Sequence, residues 1–430
     1  MADKHEITKE EALKLNKEMD NRLNIDSDKI KQLKPIREIV ENAKKTKLID
    51  VHNVCRHWLG IKEVDTNRID IILATILSNQ IPGTPIWLFI VGASGDWKTT
   101  FVKSLEGIDN CIKIDQITGN ALATGMKNET DLGSKLQNSS HTLIFLDLAS
   151  LTSANKDEKN KIWGQFRNLF DGDIYKRTGS GVNKAYSGCH VTIIACSTET
   201  LRDEVLIHAQ LGSRELLYDT QAEQIDNHFK MKKAWENEQY EQQMQQEMRE
   251  VVTNFVKNHP VKDIEISPNV MAFLMDEADR LSKLRAGGAV DRIHRELINP
   301  IVPEVPTRTI KQFKRIYRCL KSLDENYPDE KAMEIITHIV NSSGDKVRQM
   351  VLNLLQNQFD KKWKISEVQH ELKLGRSKVK SELEQLWNIG MINKYVIEER
   401  IGGYFVTDEY GREQVRGGRI EEVSYYQFAV

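Results

Sequence analysis

Residues 86–105 read IWLFIVGASGDWKTTFVKSL: six apolar residues, a loop rich in small and polar residues, then KTTFVKSL. An unbroken apolar run of that length, stopped by a glycine, predicts a strand buried on both faces, and the residues after the loop predict a helix start. The spacing follows G-x-x-x-x-G-K-[ST], with Gly92 in the first position, Lys98 as the lysine and Thr99 as the hydroxyl. Such a loop curls so that successive N–H groups face a phosphate. Its lysine neutralises the β- and γ-phosphates, and its hydroxyl ligates Mg²⁺. The expected ligands are therefore ATP and Mg²⁺, with Gly95, Asp96, Trp97 and Thr100 completing the contacts. One position departs from the pattern: Trp97 stands where the second glycine belongs. Its side chain must turn away from the phosphates, and its backbone must reach the loop conformation without glycine's freedom.

Short apolar runs recur at 111–114 (CIKI), 142–147 (TLIFLD) and 191–196 (VTIIAC), alternating with helical stretches. That alternation predicts an α/β domain around a parallel sheet. Asp147 closes the second of these runs, and a carboxylate there would hold the Mg²⁺ water shell beside the loop. Asp115, just after 111–114, is a further acidic candidate. The run HVTIIACSTET ends in Ser197 and Thr198, and Thr198 is the expected polar sensor of the γ-phosphate. Between them, DIYKRT and VNKAYS flank Gly179, Ser180 and Gly181, which predicts a β-hairpin. Lys176, Arg177 and Lys184 place positive charge along it, suited to the phosphates of a DNA strand. Arg214 precedes the apolar LLY, and Arg308 opens a helix; each could stabilise charge on a γ-phosphate, Arg214 from a neighbouring subunit.

The rest reads as helical. Residues 67–81 predict an amphipathic helix, 220–258 one or two mostly solvated helices, and 265–342 a small helical lid. From residue 345 the pattern gives three short helices and a hairpin turning at Gly402 and Gly403, a winged-helix layout. In its third helix Val379, Leu383 and Leu386 share the core face, while Arg376, Ser377, Lys378 and Lys380 lie where a recognition helix meets DNA. The expected units are 1–66, an N-terminal helical region; 67–258, the ATPase core; 259–340, the lid; and 341–430, the winged helix.

With these pieces in order, the chain resembles the AAA+ ATPases related to the minichromosome maintenance helicases, in the branch found on plasmids, phages and other mobile elements. The resemblance rests on NQIPGTPIWLFIVGASGDWKTT, QITGNALATG, LIFLDL, GQFRNLFDGDIYKRTGSG and LGSRELLYD, covering residues 70–220 strongly and 265–425 loosely. It implies a hexameric ring that couples ATP hydrolysis to DNA translocation or unwinding, in replication of such an element. Carried over by position, Lys98 and Thr99 bind phosphate and Mg²⁺, Asp147 binds Mg²⁺, Thr198 is the sensor, Arg214 the finger in trans and Arg308 the lid sensor. Lys176 and Arg177 are the implied DNA contacts. Many such ATPases follow the acidic residue with a glutamate; here Leu148 stands there. An ATP-switched DNA-binding initiator or regulator with little hydrolysis is the second reading.

Composition limits the alternatives. With 40% hydrophobic and 29% charged residues the chain has ample core and is not a disordered polyanion or polycation. A formal charge of −2 means that any DNA-binding surface must be local. The five cysteines contain no C-x-x-C pair, which argues against a disulfide framework or a zinc site and for a reducing, cytoplasmic setting. No apolar stretch is long enough to span a membrane.

Overall fold

The computed structural model describes residues 46–61, 66–124, 131–148, 153–179, 181–202, 214–220, 227–288, 299–407 and 413–429, with residues 151 and 204; of residues 227, 398–407 and 413–421 it describes the backbone alone. Of the N-terminal helical region expected over 1–66, residues 1–45 and 62–65 lie outside this set.

Five strands form one parallel sheet: β1 (Trp87–Val91), β2 (Cys111–Lys113), β3 (Ser139–Phe145), β6 (Cys189–Ser197) and β7 (Glu215–Asp219), in the order β2-β3-β6-β1-β7. The remaining two strands of this half, β4 (Ile174–Arg177) and β5 (Asn183–Tyr186), pair only with each other, antiparallel, as the predicted hairpin. Side chains alternate across the sheet. Trp87, Phe89 and Val91 face a cluster with Trp163, Phe166 and Phe170 of the helix Lys156–Phe170, while Leu88 and Ile90 face the cluster on the other side. Both faces are covered, which is why the central strand β1 is apolar at every position.

The second cluster is built by the helices Leu48–Leu59, Asn67–Leu77 and Glu241–Asn258. Leu48–Leu59 is thus part of the core: Trp58 donates through Nε1 to Glu247 at 2.9 Å, and Asn237 donates to the Trp58 carbonyl at 2.6 Å. Helix Asn67–Leu77 has no solvent face, in contrast to the amphipathic expectation; every residue from Arg68 to Leu77 is buried. Its polar residues are satisfied internally. Asp70 accepts from His52 Nε2 at 2.6 Å, from the Tyr327 hydroxyl at 2.7 Å and from Lys331. Helix Glu241–Asn258 likewise buries Met244, Met248, Val251, Val252, Phe255 and Val256, in contrast to the solvated reading of 220–258; of residues 228–240 all but Asn237 are at least partly exposed.

Helices Pro268–Arg285, Thr307–Ser322 and Asp329–Ser343 close the β7 edge of the sheet. Ser343 Oγ accepts from the Leu217 N–H at 2.8 Å and Ser342 Oγ from the Asp219 N–H at 3.0 Å, so an edge strand that would otherwise expose donors is capped by hydroxyls. Arg315 reaches under the sheet to the carbonyls of Ser78 and Thr84.

The C-terminal unit has helices Lys346–Asn357, Ile365–Leu372 and Arg376–Asn388 and a second sheet ordered β8 (Trp363–Lys364), β10 (Glu413–Phe428), β9 (Ile392–Thr407). Val379, Leu383 and Leu386 are buried, as their spacing predicted. The hairpin does not turn at Gly402 and Gly403. Gly403 is paired with Gly417 inside the ladder, which runs on to Thr407 and Glu413. Among the described residues no helix is long and apolar enough to cross a membrane.

Candidate nucleotide site

The parallel register brings the C-terminal ends of β1, β3 and β6 to one edge of the sheet, with β6 between the other two. The loop after β1, the acidic residue after β3 and the hydroxyls ending β6 must therefore meet. They line one cavity of about 570 Å³. Its floor carries Gly95, Asp96, Trp97, Lys98, Thr99 and Thr100 from the loop; Leu146 and Asp147 follow β3, and Cys196, Ser197 and Thr198 end β6. Burial pushes the Cys196 thiol up to about 12, so it adds no negative charge beside the loop.

Gly92 sits beneath the cavity. A Cβ there would stand 1.8 Å from Thr220 Oγ1, so only glycine fits. Gly95 and Trp97 both have positive φ, +79° and 57°. The tryptophan thus adopts the left-handed conformation that the missing glycine would have supplied, at a cost of about 1–2 kcal/mol, and its side chain packs against the core cluster. Lys98 is 7% exposed, and its ammonium is held by the carbonyls of Gly92 at 3.1 Å and Ala93 at 2.6 Å. Thr99 Oγ1 lies 3.5 Å from the Leu146 carbonyl, next to exposed Asp147. These two are hard oxygen donors, and among the described residues no group of three metal-ligating side chains exists. Such a sparse oxygen set suits Mg²⁺, which keeps waters and phosphate oxygens in its shell.

Three contributors were not legible in the sequence. Asp96 would repel a phosphate, but Lys230 donates to its Oδ1, and Arg68 lies 3.8 Å from its Oδ2 while donating to its carbonyl at 2.7 Å. Above the loop the cavity is roofed by helix Asn227–Asn237 and the start of the next, through Lys230, Met231, Ala234, Asn237, Glu241 and Met244. Among the described residues, none of the expected lid, 259–340, lines it; its helices flank the sheet. Leu148 is buried in the core, and Glu241 is the sole glutamate among the described lining residues.

Other predicted residues lie elsewhere. Asp115 is exposed beside Lys113 and away from the cavity. Arg214 precedes β7, whose first residue pairs with Trp87 at the start of β1, so it stands at the opposite edge of the sheet. It is buried, paired with Asp171 at 3.0 Å and stacked 5.5 Å from the Phe170 ring. Arg308 is at that same far side: Gln312, one turn on, donates to the carbonyls of Pro85 and Arg214, and Arg308 itself pairs with Glu304 at 3.5 Å. On the hairpin, Lys176 donates to Asn120 and to the Ala123 carbonyl, and Lys184 is largely buried on Asp131 at 2.7 Å, so both are engaged within the chain while Arg177 is exposed. In the C-terminal unit Arg376, Ser377 and Lys378 are exposed, Lys380 is partly buried, and Lys378 pairs with Glu382 at 2.8 Å.

No protein-family model matches this chain, and no curated protein is significantly similar to it. The reading of the site therefore rests on its own geometry.

Proposed function

We propose that the chain is an ATPase of the AAA+ type that binds ATP and Mg²⁺ in this cavity and couples the nucleotide to DNA. The observation that carries the reading is the convergence of Lys98, Thr99, Asp147 and Thr198, from three strand ends, on one cavity beside a loop of phosphate-binding spacing. Lys98 would meet the β- and γ-phosphates, Thr99 and Asp147 would hold Mg²⁺, and Thr198 would orient the attacking water. Mg²⁺ would supply charge neutralisation across the phosphates.

Arg214 and Arg308 both lie away from the cavity of their own chain, so in this reading they would serve the γ-phosphate bound by another copy. Two exposed apolar patches favour that assembly. Met231 and Trp235, the latter 82% exposed, flank the cavity roof, and Val302 and Val305, 86% and 72% exposed, precede Arg308. A head-to-tail contact covers both patches and generates a ring when its rotation closes, a hexamer in the reading adopted here. The hairpin's exposed Arg177 and the helix start at Arg376 are the surfaces offered to DNA.

A second reading, an ATP-switched DNA-binding assembly with slow hydrolysis, is favoured by two observations: Lys176 is tied to Asn120 and Lys184 to Thr124 and Asp131, and no glutamate directly follows Asp147. Titration with a fluorescent ATP analogue tests the shared premise. Lys98→Ala should weaken binding about 10- to 100-fold, the size of a lost charge-assisted hydrogen bond; unchanged affinity would remove the site from the account.

A further inference from the structure

The register of the C-terminal sheet fixes which residues share each face, and the described side chains on the face away from Trp363 and Tyr426 are all at least partly exposed. Trp363 pairs with Tyr426, and both are buried. The adjacent pair, Lys364 with Tyr425, lies on the opposite face, and Tyr425 pairs in turn with Tyr395. Lys364, Tyr425 and Tyr395 thus form a row straight across three strands. Lys362 shares this side: its Nζ lies 4.3 Å from the centre of the Tyr395 ring, and Lys364 Nζ lies 5.3 Å from that of Tyr425. The next row, Val423 and Ile397, is partly exposed. Among the described side chains of this face none is acidic.

We propose that this row binds single-stranded nucleic acid, with unpaired bases stacked on Tyr395 and Tyr425 and the flanking phosphates on Lys362 and Lys364. The rings take no part in the buried side of the sheet, and positive charge is concentrated beside them. A duplex hides its base faces, so a stacking platform selects unpaired bases. Each ammonium that rests on a ring is close enough to move to a phosphate when a base takes its place. This surface is separate from the start of helix Arg376–Asn388 and from the ATP cavity.

The test is fluorescence anisotropy of a labelled oligothymidylate with the full chain and no nucleotide, which keeps the result independent of ATP chemistry. Tyr395→Ala with Tyr425→Ala should weaken single-strand binding by at least about tenfold, leave duplex binding unchanged, and be rescued by the two phenylalanine substitutions. Lys362→Gln with Lys364→Gln should lower the slope of log affinity against log salt by about 1.4, two phosphate contacts on a single strand. No binding of the oligonucleotide by the wild type, an unchanged affinity in the folded alanine pair, or an equal loss on duplex would overturn the proposal. Should the alanine pair fail to fold, the lysine pair decides, and an unchanged salt slope overturns it.

Discussion

The ammonium of Lys230 donates to the carboxylate of Asp96 across 134 residues of sequence, tying the roof of the cavity to the loop proposed to hold phosphate. A carboxylate in such a loop opposes an incoming triphosphate unless its charge is compensated. Lys230→Ala leaves Asp96 with Arg68 alone, and ATP affinity should fall about tenfold, as expected for a partly buried charge that has lost a partner. Asp96→Asn in the same background should restore most of it. Calorimetric titration of Mg-ATP into the three proteins checks this, and a Lys230→Ala protein that binds like the wild type would remove the compensation argument.

The left-handed backbone at Trp97 gives a sharper comparison. Trp97→Ala removes the indole packing and keeps the strained conformation, whereas Trp97→Gly removes the same packing and relieves the strain. The glycine variant should be more stable than the alanine variant by about 1 kcal/mol, read as a shift in urea midpoint at constant slope. The reverse order would mean that the loop does not hold this φ in solution.

Most of the sheet was legible in the sequence because strand identity is local: continuous apolar runs, each stopped by polar or glycine residues, mark strands buried on two faces. Asp147 and Thr198 were legible for the same reason, since each closely follows a strand end, and Lys98 and Thr99 through the loop spacing after β1; parallel strands bring those ends together. Arg68, Lys230 and Glu241 were not, because nothing near them in sequence signals the loop they reach. The helix Asn67–Leu77 misled for a related reason. Arg68 and Asp70 look like a solvent face, but their partners Asp96, His52, Tyr327 and Lys331 come from distant segments. The pair Gly402 and Gly403 has turn chemistry, yet strand pairing overrides it when Gly417 stands opposite and the ladder continues.

Acid sensitivity follows from one half-buried and one buried group. Burial and then the neighbouring Arg315 guanidinium push His190 down to about 4 from its ordinary 6.5. The unfolded chain therefore binds more protons between these values, so this contribution to stability is full above about pH 6.5 and is lost as pH falls toward 4. Burial alone would raise the Asp70 carboxyl, but the hydrogen bonds and charge of His52 and Lys331 outweigh it and hold it low. Its contribution is lost only below the ordinary carboxylate range. Melting temperature should be level above about pH 6.5 and decline below it, and His190→Gln should show a shallower decline between 6.5 and 4. An identical pH profile for that variant would assign the acid sensitivity elsewhere.

Head-to-tail assembly predicts a specific contact. A mixture of Trp235→Cys and Val302→Cys proteins should form an inter-chain disulfide on mild oxidation, whereas neither single variant should cross-link with itself. Trp235→Glu should lower the assembly state in sedimentation while leaving ATP binding within about threefold of the wild type, since a charge placed in an apolar contact disfavours association. An assembled protein unaffected by Trp235→Glu would place the contact elsewhere.

The most direct test of the central claim is steady-state ATP hydrolysis by the wild type and by Lys98→Ala, with and without single-stranded DNA. The account predicts wild-type turnover that rises when DNA is added and falls to background in the variant. Turnover that survives in Lys98→Ala, or ATP binding with no turnover under either condition, would contradict a DNA-coupled ATPase at this cavity.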